Sequence, residues 1–374
     1  VRYDVVIVGG GPAGIHAALK AAVLQHTALL VDKGAEFSRV SQAQAIANVP
    51  FAPGVSGPDL LRAGRRDLDE FTRLSGRRLV DVAERTEAVD AVRDEEGFRV
   101  RLRDASGAER DAHGRALVLA TGVVDRKPGI DRFHEAGHRV LAPYVRGGQV
   151  GYCVLCEGWR LEGKRVAVVG RGDETREIAH DLASHFGAAV TRLAPEEVAA
   201  LRDEQGVLVV ELRDGSEERF DHALFHAGWY QVNNALAVGL GAAVDPEGFV
   251  RTSADCEALD ASGRVLPGLF AIGDVRDGSW KQVPLAWADA ERAIIKAYAA
   301  RLPDPHPRSR HNADRARTPH PFLMPDADEE PPRRHGGPPE GGSSTLAQRD
   351  ASGEVEEKDL KPGERRRGGE RLQR

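Results

Sequence analysis

Short continuous apolar runs, each leading into a glycine-rich turn and a stretch of helical spacing, occur twice along this chain. The first, Asp4-Val5-Val6-Ile7-Val8, has the length of a buried strand. It enters Gly9-Gly10-Gly11-Pro12-Ala13-Gly14, then an Ala/Leu-rich helical stretch, then Ala28-Leu29-Leu30-Val31-Asp32. Far downstream, Arg165-Val166-Ala167-Val168-Val169 enters Gly170-Arg171-Gly172-Asp173-Glu174-Thr175, a second helical stretch and the strand at 188–193. Each unit reads as strand, turn, helix, strand, and two of them predict two nucleotide-binding-type domains in tandem. Between the units, 86–92 and 98–102 alternate as half-buried strands do and lead into 116–122. A similar strand pair, 207–212 and 223–227, follows the second unit. After it come 268–274 and a closing helix at about 283–302.

From Pro303 the pattern stops: Pro, Gly, Arg, Glu and Ser dominate, and apolar residues nearly vanish. Such a stretch cannot bury enough surface to offset its ordering entropy, so 303–374 reads as a disordered tail. The chain of 374 residues suits about two domains plus an extension. Its net charge of −6, with no basic block in the part expected to fold, gives no case for nucleic acid. No apolar run reaches the roughly 20 residues that cross a bilayer, and the first strand begins almost at residue 1, so a soluble, cytoplasmic protein with no membrane association is expected. Three cysteines are too few for a disulfide scaffold and fit a reducing compartment.

Three places carry chemistry. In the first turn, Gly9 permits the tight bend, Gly11 lets backbone approach a pyrophosphate, and Gly14 lets helix pack on strand. The helix N-terminus faces the phosphates, and Asp32 ends the second strand where a carboxylate accepts hydrogen bonds from a ribose. The second turn keeps Gly170 and Gly172 but has Thr175 at the third small position. Leu193-Ala194-Pro195-Glu196-Glu197 offers no arginine pair for a 2′-phosphate. That domain has either kept a nicotinamide site or altered it. The third place is Tyr152-Cys153-Val154-Leu155-Cys156-Glu157-Gly158. Zinc calls for a second CxxC or a His pair, and neither stands at suitable spacing, so no metal is expected. Two thiols three apart suit a disulfide across one turn, and such a motif usually makes a thiolate available for exchange. Glu157 is placed to shuttle the proton. Two inert buried thiols are the alternative. Cys256, in a polar loop, reads as a bystander.

Together these features resemble the low-molecular-weight thioredoxin reductase family over almost all of 1–302. The residues that carry the likeness are the GGGPAG at 9–14, Asn48-Val49-Pro50 with Ser56-Gly57-Pro58-Asp59-Leu60-Leu61, Ala120-Thr121-Gly122, the CxxC-acid-Gly at 153–158, Pro267-Gly268-Leu269-Phe270-Ala271-Ile272-Gly273-Asp274-Val275, and Lys281-Gln282. The cysteines lie just before the second glycine turn, whereas related larger disulfide reductases carry them in the first domain.

The resemblance implies an α/β fold of two Rossmann-like, three-layer ββα domains, the second inserted in the first. An FAD-binding domain would span 1–124 plus 246–302, and an NAD(P)H-binding-like domain carrying the CxxC would span 125–245. It implies that Gly9, Gly11, Pro12, Ala13 and Gly14 hold the pyrophosphate and Asp32, with Lys33, the adenosine ribose. Asn48, Val82, Thr121, Gly122, Gly273, Asp274, Lys281, Gln282 and Val283 would complete the FAD site. Cys156 would be the sulfur nearer the flavin, Cys153 its partner, and Glu157 would replace the family's usual aspartate. NADPH-using members carry His-Arg-Arg about where this chain has Ala194-Pro195-Glu196, which speaks against NADPH and leaves NADH open. Such changes are shared in kind with ferredoxin-dependent relatives and with dithiol oxidases of the gliotoxin and holomycin type.

The expected function is that of an FAD-dependent thiol–disulfide oxidoreductase, a homodimer by resemblance, acting with a thioredoxin-like protein or a small dithiol or disulfide. The same machinery run backwards would be a dithiol oxidase. A non-catalytic redox sensor is the alternative of another class.

Overall fold

The structure, a computed structural model, describes residues 2–125, 138–226 and 230–300. The tail expected at 303–374 and the end of the expected closing helix lie outside these residues.

The first apolar run forms β1 (Arg2–Val8), and the turn after it leads into α1 (Pro12–Val23) and β2 (Ala28–Asp32). β1 and β2 pair in parallel, with Val5 beside Ala28 and Val8 beside Val31. α2 (Gly57–Ser75) starts at Ser56, whose Oγ accepts the Asp59 N–H at 3.2 Å, and stops at Gly76 in the left-handed region. β3 (Val80–Glu84) joins the sheet beside β2. The alternating segments form the antiparallel pair β4 (Thr86–Asp94) and β5 (Gly97–Asp104). β5 runs antiparallel into β6 (Glu109–Leu119), which lies parallel to β1.

After β7 (Val123–Val124) and α3 (His138–Arg146), the short β8 (Val150–Gly151) leads to a single helical turn, α4 (Val154–Glu157). The second unit then forms as β9 (Arg165–Gly170), α5 (Gly172–Ser184) and β10 (Ala189–Leu193). β11 (Val198–Glu204), β12 (Val207–Leu212) and β13 (Glu217–Phe220) make an antiparallel sheet of their own. β14 (His222–His226) returns to lie between β8 and β9, so the parallel sheet runs β10-β9-β14-β8. The segments read as a strand pair at 207–212 and 223–227 thus belong to different sheets. Their spacing marks strands but does not choose partners. β15 (Gln231–Val232) pairs antiparallel with β7. The chain then passes α6 (Ala235–Gly239) and β16 (Glu257–Leu259) to β17 (Val265–Ala271), which adds parallel to β6. It ends the described region in α7 (Val283–Ala300).

The period-two side-chain alternation of strands builds the layers. In the first sheet Val5, Ile7, Leu30 and Val118 face one core with α1 and α7, while Val6, Leu29, Leu117 and Leu119 face another with Phe98 and Val100 of β5. In the second sheet Ala167 and Val169 pack toward β11–β13, and Val166 and Val168 pack toward α5. Both sheets are therefore the middle layer of a three-layer ββα stack, the α/β architecture expected from the sequence. Trimming a residue such as the fully buried Leu30 to Ala costs about 2–5 kcal/mol through lost transfer energy and the cavity left behind.

Candidate active site

β1 delivers the first glycine turn to the C-terminal edge of its sheet, where open α/β folds bind ligands. A Cβ on Gly9 would collide with the Ala120 carbonyl, and one on Gly14 with the Gly9 carbonyl, so these two glycines let strand, turn and helix close on each other. Gly9 also holds φ at 119°, where side chains are strained. A Cβ on Gly11 would meet only the Ser38 hydroxyl, at 3.2 Å. Gly10 has a job of its own: the Asp32 carboxylate lies where its side chain would be. Asp32 Oδ1 accepts the Gly34 N–H at 3.0 Å, and Oδ2 pairs with Arg65. The first turn of α1 carries no acidic residue, so its N–H end keeps its positive partial charge for an anion.

This turn forms one wall of a cavity of about 790 Å³, within the usual range for a cofactor site. Gly9, Gly11, Pro12, Ala13, Asp32, Lys33, Asn48, Thr121, Gly122, Gly273, Asp274, Lys281, Gln282 and Val283 all line it. Two of the expected cofactor residues do not: Gly14 is buried behind the turn, and Val82 is half-buried in β3. The open face at Gly11, the acid-free helix start and the anchored Asp32 fit a dinucleotide such as FAD. Inside the cavity Arg39 Nε donates to both oxygens of Asp125, at 3.0 and 2.9 Å, and its guanidinium lies 3.9 Å from Asp274. Burial raises the pKa of Asp274, with Arg39 and Lys281 opposing that shift, and burial lowers that of Lys281.

The disulfide Cys153–Cys156 lines the same cavity, with its two Cα atoms 5.3 Å apart across α4. The Cys153 carbonyl accepts the N–H groups of Cys156 (3.2 Å) and Glu157 (3.1 Å), which fixes that turn. Asn48 Nδ2 donates to Gln282 Oε1 at 2.8 Å, and this orients Gln282 Nε2 to donate to Cys156 Sγ at 3.5 Å. An N–H aimed at Cys156 favours negative charge there when the S–S bond opens. Glu157 also lines the cavity, and its Oε2 lies 3.2 Å from Nε2 of the buried His222. Leu155 and Trp159, beside the disulfide, are exposed.

The second glycine turn differs. Asp173 and Glu174 occupy the first turn of α5, Glu174 Oε2 sits 2.6 Å from His226 Nε2, and Arg171 donates to Glu196 at 3.1 and 2.8 Å. Carboxylates stand where a pyrophosphate would meet the helix, and the nearby arginine is engaged. These side chains leave no free arginine for a 2′-phosphate, which speaks against NADPH at this turn and leaves NADH open.

Sequence reasoning missed Gly10, Arg39, Arg65, Asp125 and His222. The run of three adjacent glycines at 9–11 was the one available signal, and it pointed to Gly10. Cys256 lies in the loop before β16, but its side chain is buried and its Sγ donates to Asp289 at 3.6 Å. Its thiol is pushed up to about 12, by burial first and then by Asp289. It is kept inert, as a bystander would be. Among the described residues, no group of three or more His, Cys, Asp or Glu comes together to hold a metal, and no helix is long and apolar enough to cross a membrane.

The model of the pyridine nucleotide-disulphide oxidoreductase family matches residues 3–197. The chain is 26% identical over 319 residues to the thioredoxin reductase of Listeria innocua, spanning 77% of this chain and 90% of that one. It is 24% identical over 324 residues to the thioredoxin reductase of Bacillus subtilis, spanning 78% of this chain and 92% of that one. The crystal structure of thioredoxin reductase from Streptococcus pyogenes shares the fold, with a TM-score of 0.64 at 23% identity over 80% of this chain and 97% of that one.

Proposed function

Because the chain belongs to the pyridine nucleotide-disulphide oxidoreductase family and is a flavin-dependent disulfide oxidoreductase with FAD as its cofactor, we propose that Cys153 and Cys156 exchange electrons with a dithiol or disulfide partner. The observation that carries this reading is one cavity lined by both the first glycine turn and the disulfide. In this reading Gly9, Gly11, Pro12 and Ala13 hold the pyrophosphate, with Gly14 behind them closing helix on strand, and Asp32 with Lys33 holds the ribose. Asn48, Thr121, Gly122, Gly273, Asp274, Lys281, Gln282 and Val283 line the remainder, with Val82 behind them. FAD bound there would supply two-electron redox chemistry. The chain's own part is to open and close the S–S bond: Gln282 favours charge on Cys156, and Glu157 handles the proton.

The division into 1–124 plus 246–302 and 125–245 draws support from strand membership, since β17 joins β6 while β8 to β14 build the second sheet and its companion, although Ala237 and Ala242 pack on the first sheet. The partner is a thioredoxin-like protein or a small dithiol or disulfide, met at the exposed Leu155 and Trp159. The protein works as a cytoplasmic homodimer.

The acid-filled second turn favours one further reading: the electron donor is not NADPH, and a dithiol or another carrier feeds the disulfide. The test of the main reading is Cys156→Ser. It should retain FAD absorbance and lose disulfide turnover; normal turnover would remove these cysteines from the chemistry.

A further inference from the structure

His222 belongs to no motif, yet it is almost wholly buried, and both of its ring nitrogens are engaged next to the disulfide. Nδ1 lies 3.0 Å from the Gly148 carbonyl. A carbonyl only accepts, so Nδ1 carries a hydrogen. Nε2 lies 3.2 Å from Glu157 Oε2. A bare imidazole nitrogen and a bare carboxylate would oppose two lone pairs there, so a second hydrogen lies between them, on one side or the other. The contact has a built place: a Cβ on Gly151 would collide with Glu157 Oε2, so the missing side chain makes the room in which that carboxylate reaches His222. Gly151 and His222 lie on the neighbouring strands β8 and β14.

We infer that Glu157 and His222 hold one proton between them, with His222 as the positioning residue, and that this couple serves the opening and closing of the Cys153–Cys156 bond. The inference rests on the reading of that disulfide as the redox centre. Opening the bond takes two electrons, which the flavin-dependent activity supplies, and two protons if both sulfurs end as thiols. One proton comes from the couple, and solvent supplies the other and recharges the couple through Glu157, whose side chain is 23% exposed. Exchange with a partner disulfide reverses the count: one S–S bond re-forms here, one breaks in the partner, and two electrons and two protons move to it. Tyr152 also faces Glu157, but burial raises its phenol, with Asp125 and Glu157 adding to the shift, so it stays neutral.

The proton has a readable consequence. With it the couple is neutral overall. Without His222 to share it, the negative charge of the Glu157 carboxylate stands beside the dithiol and disfavours thiolate. The experiment is the pH profile of iodoacetamide alkylation of the reduced, FAD-loaded protein, with Cys256 outside the profile because it is buried. His222→Asn and, independently, Gly151→Ala should each move the thiolate profile to higher pH by about one unit, slowing alkylation about tenfold near neutrality. Adding Glu157→Gln to either should bring the profile back, which repair of a merely structural defect would not do. Unmoved profiles in both single variants, or a displacement that persists once Glu157 is neutralised, would overturn the couple. A wild-type protein that turns over no dithiol or disulfide, yet shows the displacement and its rescue, would support the couple and overturn only the functional reading.

Discussion

The two glycine-rich turns follow equivalent strands and start equivalent helices, yet they offer opposite surfaces to an anion. At the first, no acid stands in the opening turn of α1, Gly11 leaves open space, and the Asp32 carboxylate lies against Gly10 at the strand end, held by Arg65. At the second, Asp173 and Glu174 stand in the opening turn of α5, and Glu196 takes up Arg171. The shared backbone supplies the helix dipole in both places. Side chains within one turn of the helix start decide whether that dipole is available to a phosphate. A βαβ unit is thus evidence of architecture before it is evidence of a ligand.

The comparison can be broken at several points. Gly11→Val should leave the fold intact, since only Ser38 stands near its Cβ, while intruding on the cavity. FAD affinity in equilibrium titration should fall about a hundredfold, a cost of about 3 kcal/mol. Arg65→Met should cost about 2 kcal/mol in denaturant unfolding, less than a fully buried pair because Arg65 is 23% exposed. Its counterpart Arg171→Met, in an exposed pair, should leave the unfolding midpoint unchanged. Converting the second turn by Asp173→Asn, Glu174→Gln and Glu196→Arg together should tighten NADPH binding about tenfold in calorimetric titration. No gain would show that more than charge closes this site.

The smallest effect concerns Asp274. Burial raises its pKa against the opposing charges of Arg39 and Lys281, so the fold favours the protonated form. Its contribution to stability is present at acid pH and is lost as pH rises through the raised value. Asp274→Asn should therefore melt slightly higher than wild type at neutral pH in the flavin-free protein, with the difference closing as the solution is acidified.

Much of this was legible where the signal is local. The apolar run at 4–8, its glycines and Asp32 mark a βαβ unit within one stretch of chain, and the spacing of Cys153 and Cys156 marks a bond across one turn. The likeness to a family extended that reading to Asn48, Asp274 and Gln282, which the fold brings to the same cavity. Residues that act through distant partners stayed silent. Arg65 reaches Asp32 from α2, Arg39 reaches Asp125 from the 3-10 turn Arg39–Gln42, and His222 reaches Glu157 only because β14 returns to the parallel sheet. Cys256 stands in a loop, as the polar run Ser253-Ala254-Asp255 suggests, but its side chain is buried. Its backbone takes a φ of 64°, which pattern alone does not reveal.

The most direct test of the account is anaerobic bleaching of the bound flavin by NADPH, NADH and a small dithiol in separate titrations. The contrast between the two turns predicts that the dithiol bleaches the flavin through Cys153 and Cys156 and that NADPH does so far more slowly. Fast bleaching by NADPH would contradict it, showing that the second turn accepts the nucleotide despite Asp173, Glu174 and Glu196.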